Sequence, residues 1–141
     1  MIMRYTVLFD RRKDELLLLA RVLLMALFVV FGLDKFLNFS GTAAYMASVG
    51  LPLPTFAAFT ALVMEFFVGI AILLGFYTRP LALALALYTV ITALIGHRYW
   101  AITDPGIRLD TMIHFYKNMS VTGGLLLLCV TGAGKYSLDR R

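Results

Sequence analysis

The stretch LLLLARVLLMALFVVFGLDKFL, residues 16–37, decides the fold class. It is apolar over a length that can cross the ~30 Å hydrocarbon core of a bilayer as one helix. Only Arg21, Asp34 and Lys35 interrupt it. Arg11, Arg12 and Lys13 precede it, as in a secretory leader. Its length and the lack of a small-residue cleavage site identify it instead as a retained first helix.

The rest of the chain agrees with that reading. Of 141 residues, 61% are hydrophobic and 15% charged, and the mean hydropathy is +0.86. A soluble domain of this size has too little interior to hide so much apolar surface. The expected class is therefore an all-α membrane protein, a single four-transmembrane-helix bundle in which lipid replaces a large core. The net charge of +5 does not point to nucleic acid, because no basic face with interleaved aromatics is visible. A single cysteine, Cys129, excludes an internal disulfide and reads as a small buried apolar residue.

Three further helices are expected. Residues 38–54 are rich in Gly, Ser, Thr and Pro, with a short interfacial helix over 42–49. Pro52 and Pro54 then start a second spanning helix, 55–76, that carries Glu65. A short turn at 75–80 makes the third helix, 80–96, its antiparallel neighbour. The Leu-Ala alternation at 81–87 has a strand-like period, but a lone strand would leave its backbone unpaired in lipid. A polar loop, 97–111, holds Tyr99 and Trp100 at an interfacial depth. The fourth helix covers 112–131, and Gly132, Gly134 and a polar tail end it.

Lysine and arginine set the orientation. Four crossings would put Arg4, Arg11, Arg12, Lys13, Arg79, Lys135, Arg140 and Arg141 on one side, against Lys35, Arg98 and Arg108 on the other. The positive-inside rule then makes both termini cytoplasmic in an inner membrane.

The ionisable groups inside the spans are the most informative residues, because each costs about 2.5–3.5 kcal/mol on insertion scales and such groups face the bundle interior. Glu65 lies near the midplane. His114, Lys117, Asn118 and Val121 share one helix face. Asp34, Lys35 and His97 close their helices at the same outer side. Arg21 sits low in the first helix, where it can snorkel to the cytoplasmic boundary. Two readings fit this set. In one, Glu65 pairs with Lys117 or Lys35 and the pair fixes helix register. In the other, the groups form a ligand pocket that opens outward and handles protons, as a quinone headgroup requires. His97 and His114 lack the spacing of a metal or haem site, and His97 reads as a boundary hydrogen-bonding group. Asn38-Phe39-Ser40 and Asn118-Met119-Ser120 match a glycosylation pattern that is too nonspecific to use. Gly69, Ala82, Ala86, Gly123 and Gly124 are expected to permit close helix packing.

Several pieces, in order, carry a family resemblance. They are Arg21, Gly32-Leu33-Asp34-Lys35-Phe36, Gly50-Leu51-Pro52 and Pro54, Glu65, and Leu74-Gly75-Phe76-Tyr77-Thr78-Arg79. Lys117-Asn118, Gly123-Gly124-Leu125-Leu126-Leu127 and Gly132-Ala133-Gly134-Lys135-Tyr136-Ser137-Leu138-Asp139 follow. With these the chain resembles the DoxX family of bacterial membrane proteins, and is close to an enterobacterial inner-membrane member. That family takes its name from a membrane subunit of an archaeal thiosulfate:quinone oxidoreductase. The resemblance implies a quinone-linked or thiol-redox-associated membrane subunit. Glu65 would be its central acid, Lys117 and Asn118 would polarise a carbonyl, and Arg21, Asp34, Lys35, His97 and His114 would support them. A chain of one short module is not expected to oxidise thiosulfate by itself. The alternative is a membrane anchor that recruits a soluble oxidoreductase partner. A small transporter would require a homo-oligomer, since four helices enclose only a narrow path.

Overall fold

The computed structural model describes residues 9–139. Arg4, Arg140 and Arg141, counted above for orientation, lie outside them. Among the described residues all regular structure is helical: α1 (Lys13–Leu37), α2 (Phe39–Ser48), α3 (Pro54–Leu74), α4 (Thr78–Gly96) and α5 (Pro105–Thr131). Short 3₁₀ turns at Asp10–Arg12 and Tyr99–Ala101 precede α1 and α5.

Local chemistry explains the boundaries. Asn38 caps α2 by accepting a hydrogen bond from Gly41 N at 3.2 Å. Pro54 occupies the first turn of α3, where its missing N–H costs nothing. α5 begins well before the expected residue 112. Pro105 again starts the helix, and the Asp104 side chain accepts from Ile107 N at 2.9 Å. Hydropathy missed this turn because its residues, Arg108 and Asp110 among them, are polar although helical. The Leu-Ala run of α4 resolves into a helical period. Ala82, Leu85, Ala86, Thr89 and Ala93 are buried, while Leu83, Leu87, Ile91 and Leu94 face outward.

The helices run antiparallel in pairs. α4 and α5 pack along each other, α1 packs on α3, and the two pairs share one core of Met25, Phe28, Ile72, Leu85, Leu125 and Leu128. Large apolar side chains such as Leu23, Val30, Leu87, Leu127 and Val130 point away from it. α1 with its leading turn, α3, and α4 with its trailing turn are each long and apolar enough to cross a membrane. α5 is long enough but carries a polar first half. We call the end that holds Asp10–Arg12 and the segment after α5 the terminal end and the opposite end the distal end.

Small residues decide how close the helices come. A Cβ at Gly32 would lie 2.5 Å from Phe66 N, so α1 touches the backbone of α3 itself. A Cβ at Gly69 would meet Phe28 at ordinary contact distance, and one at Gly124 would press more tightly on Leu24, at 3.3 Å. Gly123 departs from expectation and faces open space. In lipid, van der Waals fit between helices replaces the hydrophobic drive, so loss of the Gly32 contact is costly. Gly32→Ala is expected to lose about 1–3 kcal/mol through overpacking. The measurement is the thermal midpoint in mild detergent. Gly69→Ala, with room for its methyl, should melt like the parent.

Candidate functional site

Glu65 sits in a π-helical turn, Val63–Phe67, within α3. Such a turn holds one extra residue per turn and often marks a functional position. Here it presents the Glu65 carboxylate to two other helices. Lys35 Nζ of α1 donates to Oε2 at 2.7 Å, and the Tyr88 hydroxyl of α4 donates to Oε1 at 2.8 Å. The Lys35 and Glu65 side chains are 21% and 15% exposed, so the ion pair is sheltered but not sealed. The Gly32 contact sets this geometry, because it brings the α1 backbone against Glu65 and Phe66 one turn before Lys35. Phe36 stacks on Phe66, with ring centroids 5.4 Å apart, and covers the same junction.

Between the two pairing partners left open for Glu65, the structure selects Lys35. Lys117 does not turn inward. It is exposed and has no ion-pair partner among the described residues. It lines a groove of about 700 Å³ between α1 and α5, together with Leu27, Phe31, His114, Asn118 and Val121. The physical reason is spacing: α5 follows α4 closely and meets α1 only sparsely, so its polar first half borders an opening. His97 stacks on His114, with centroids 5.4 Å apart and planes 21° apart, and His114 Nε2 lies 3.7 Å from an Asp110 oxygen. Stacked rings do not aim their nitrogens at one point. No group of three His, Cys, Asp or Glu side chains gathers among the described residues. Asp34 is exposed at the distal end and joins neither set.

Tyr88 has no counterpart among the expected site residues. The available signal was a phenol in the middle of an otherwise Leu-Ala helix, where its hydroxyl needs a partner.

Arg21 corrects the expectation most directly. It does not snorkel; it is 2% exposed. Nε donates to Leu73 O at 3.0 Å, Nη1 to Ala133 O at 2.6 Å, and Nη2 to Tyr136 O. These carbonyls belong to the end of α3 and to the tail after α5. That tail folds back under the bundle. Leu138 N and Asp139 N donate to Leu74 O and Gly75 O at 3.1 and 2.7 Å. Asp139 then caps α4, its two oxygens accepting from Tyr77 N and Thr78 N at 2.7 and 2.8 Å. Gly75 is required there twice over: its φ is +71°, and a Cβ would overlap Ser137.

The DoxX family model matches residues 16–98. The chain belongs to the DoxX family. The matched segment contains Lys35, Glu65 and Tyr88, and it ends before α5. Two relatives of Escherichia coli (strain K12) are similar over nearly their whole lengths. The inner membrane protein YphA is 48% identical over 94% of each chain. The inner membrane protein YqjF is 39% identical over 91% of this chain and 92% of its own. CatD of Bacillus subtilis (strain 168), whose name carries a provisional oxidoreductase assignment, is 37% identical over 55% of this chain and 56% of its own. No solved structure matches. This DoxX protein is thus an integral protein of the inner membrane, with its apolar helix faces in lipid.

The terminal clamp has a testable pH dependence. Partial burial pushes the Asp139 carboxylate up, but the donors of Thr78 and Tyr77 and the Arg21 charge outweigh it and hold it below the usual carboxylate range. A depressed carboxylate stabilises the fold fully above its unfolded value of about 3.9, and that contribution is lost as pH falls through the folded value. The thermal midpoint in detergent should therefore drop below about pH 4, and Asp139→Asn should flatten that acid limb. Arg21→Met should cost about 3 kcal/mol or more at any pH, because it strands buried carbonyls.

Proposed function

We propose that this DoxX protein is a redox-associated membrane module of one domain, and that it binds a quinone-like small molecule in the distal half of the bundle. One observation carries the proposal: a carboxylate near the middle of a span is held on a π turn by a lysine and a tyrosine from two other helices. Charges inside membrane spans are costly and default to function. The provisional oxidoreductase name of CatD supports a redox setting.

In this reading α5 is a fourth crossing, carried by its apolar second half and its packing along α4. The terminal end is cytoplasmic, on the strength of Arg11, Arg12, Lys13, Arg79 and Lys135. The headgroup enters the groove between α1 and α5, whose volume falls in the range of small-molecule sites. Lys117 and Asn118 donate to its carbonyl, His114 stands beside them, and Leu27, Phe31 and Val121 accommodate apolar parts. Quinone reduction takes up two electrons and two protons. Glu65 lies outside the groove's lining; oriented by Tyr88 and Lys35, it relays each of the two protons from water to the reduced headgroup, and a soluble oxidoreductase partner supplies the two electrons.

Glu65→Gln keeps the shape of the site and removes the exchangeable charge. It is expected to weaken retention of a short-chain quinone about tenfold or more, roughly 1.4 kcal/mol, while the bundle stays folded. Tyr88→Phe should weaken it less. Native mass spectrometry of the purified protein reads both. Parental retention in Glu65→Gln would sink this role and leave the chain as an anchor for a soluble partner.

A further inference from the structure

The terminal end holds a second concavity, unrelated to the Glu65 group. Its volume is about 1220 Å³, and its walls come from the start of α1, the start of α4 and the folded-back tail. Three cations face it: Lys13, Arg79 and Lys135. Two carboxylates, Asp14 and Asp139, also line it, but backbone amides already engage both. Asp14 Oδ1 accepts from Lys135 N at 2.9 Å, and Asp139 caps α4. The ion pairs among the described residues, Lys35–Glu65 and His114–Asp110, are both at the distal end. No described carboxylate is therefore within ion-pair distance of the three cations.

The Arg79 side chain is also directed. Its guanidinium lies over Gly132, where a Cβ would come within 3.2 Å of Nε, and Nη2 donates to Thr131 O at 3.5 Å. Gly132 has φ +77°, so the backbone turn that seats the guanidinium needs a residue without a side chain. The remaining guanidinium donors are left for a ligand. A planar donor set beside two ammonium groups matches a phosphate.

We propose that this concavity binds the phosphate of an anionic phospholipid. Its position favours a lipid over a dissolved phosphate. It lies at the ends of two helices that are apolar enough to span a membrane, α1 and α4. Leu17 and Pro80 line it beside the cations. Exposed Leu16, Leu19 and Phe76 occupy the same end of the bundle, where acyl chains begin. Basic pockets at the ends of membrane helices recognise anionic headgroups by this combination.

The test uses the full chain, delipidated in mild detergent and titrated with phosphatidylglycerol, phosphatidylethanolamine or sodium phosphate under native mass spectrometry. Phosphatidylglycerol should bind in clear preference to phosphatidylethanolamine. Removing each cation should weaken it about fivefold, and Lys13→Gln, Arg79→Gln and Lys135→Gln together about a hundredfold. Arg98→Gln with Arg108→Gln, at the distal end, should leave it unchanged. If the Arg79 change disturbs the tail, Lys13→Gln with Lys135→Gln still tests the site, with a loss of about 25-fold. Equal binding of the two lipids overturns the proposal, as does an undiminished preference in the cation variants. Sodium phosphate that binds alone and displaces the lipid overturns the lipid assignment.

Discussion

The backbone contact between α1 and α3 at Gly32 is the constraint on which the rest of the distal half depends. With no side chain at Gly32, α1 lies directly against the peptide groups of Glu65 and Phe66. That approach places Lys35 within 2.7 Å of Glu65, and the π turn presents the same carboxylate to Tyr88 of α4. Three helices are thus joined at one half-buried polar point. In lipid this matters more than it would in water, because apolar packing alone distinguishes poorly between helix registers when the solvent is equally apolar. A polar group that must find its partner supplies the discrimination.

The two ends of the bundle handle charge differently. At the distal end a carboxylate and an ammonium neutralise each other, while a second lysine, Lys117, is left at an open groove. At the terminal end the buried guanidinium of Arg21 meets carbonyl oxygens and no described carboxylate within ion-pair distance. Arginine suits that place, because its planar fork reaches several carbonyls at once and its charge is not easily lost. The tail it binds is then held by backbone pairing to Leu74 and Gly75 and by the Asp139 cap. The distal end carries an ion pair beside an open groove, and the terminal end carries a closed clamp with basic residues on its surface.

Parts of the candidate site were legible in the chain as written. Glu65 stood out because a carboxylate near the midpoint of an apolar run has few uses. Lys35 was visible as a partner because it ends a helix on the same side. Lys117 misled because helical spacing places a residue on a face without saying what that face meets. Tyr88 escaped notice because tyrosine is tolerated in apolar runs, and only its hydroxyl partner marks it. Arg21 was read by depth alone; its burial depends on a tail more than a hundred residues away.

Length, apolar runs and charge placement were enough, by themselves, to determine an all-helical membrane protein, and the ordered motifs from Arg21 to the Gly132–Asp139 tail carried its resemblance to the DoxX family. Those properties follow from the chain's exchange with its solvent, which each segment makes on its own. Partner choice was decided only by tertiary structure: Glu65 with Lys35 and Tyr88, Arg21 with the tail, Lys117 with an open groove. Each of these choices depends on the distance between helices remote in sequence. For Glu65 and Lys35 that distance is set at Gly32, where the absence of a side chain lets two backbones meet.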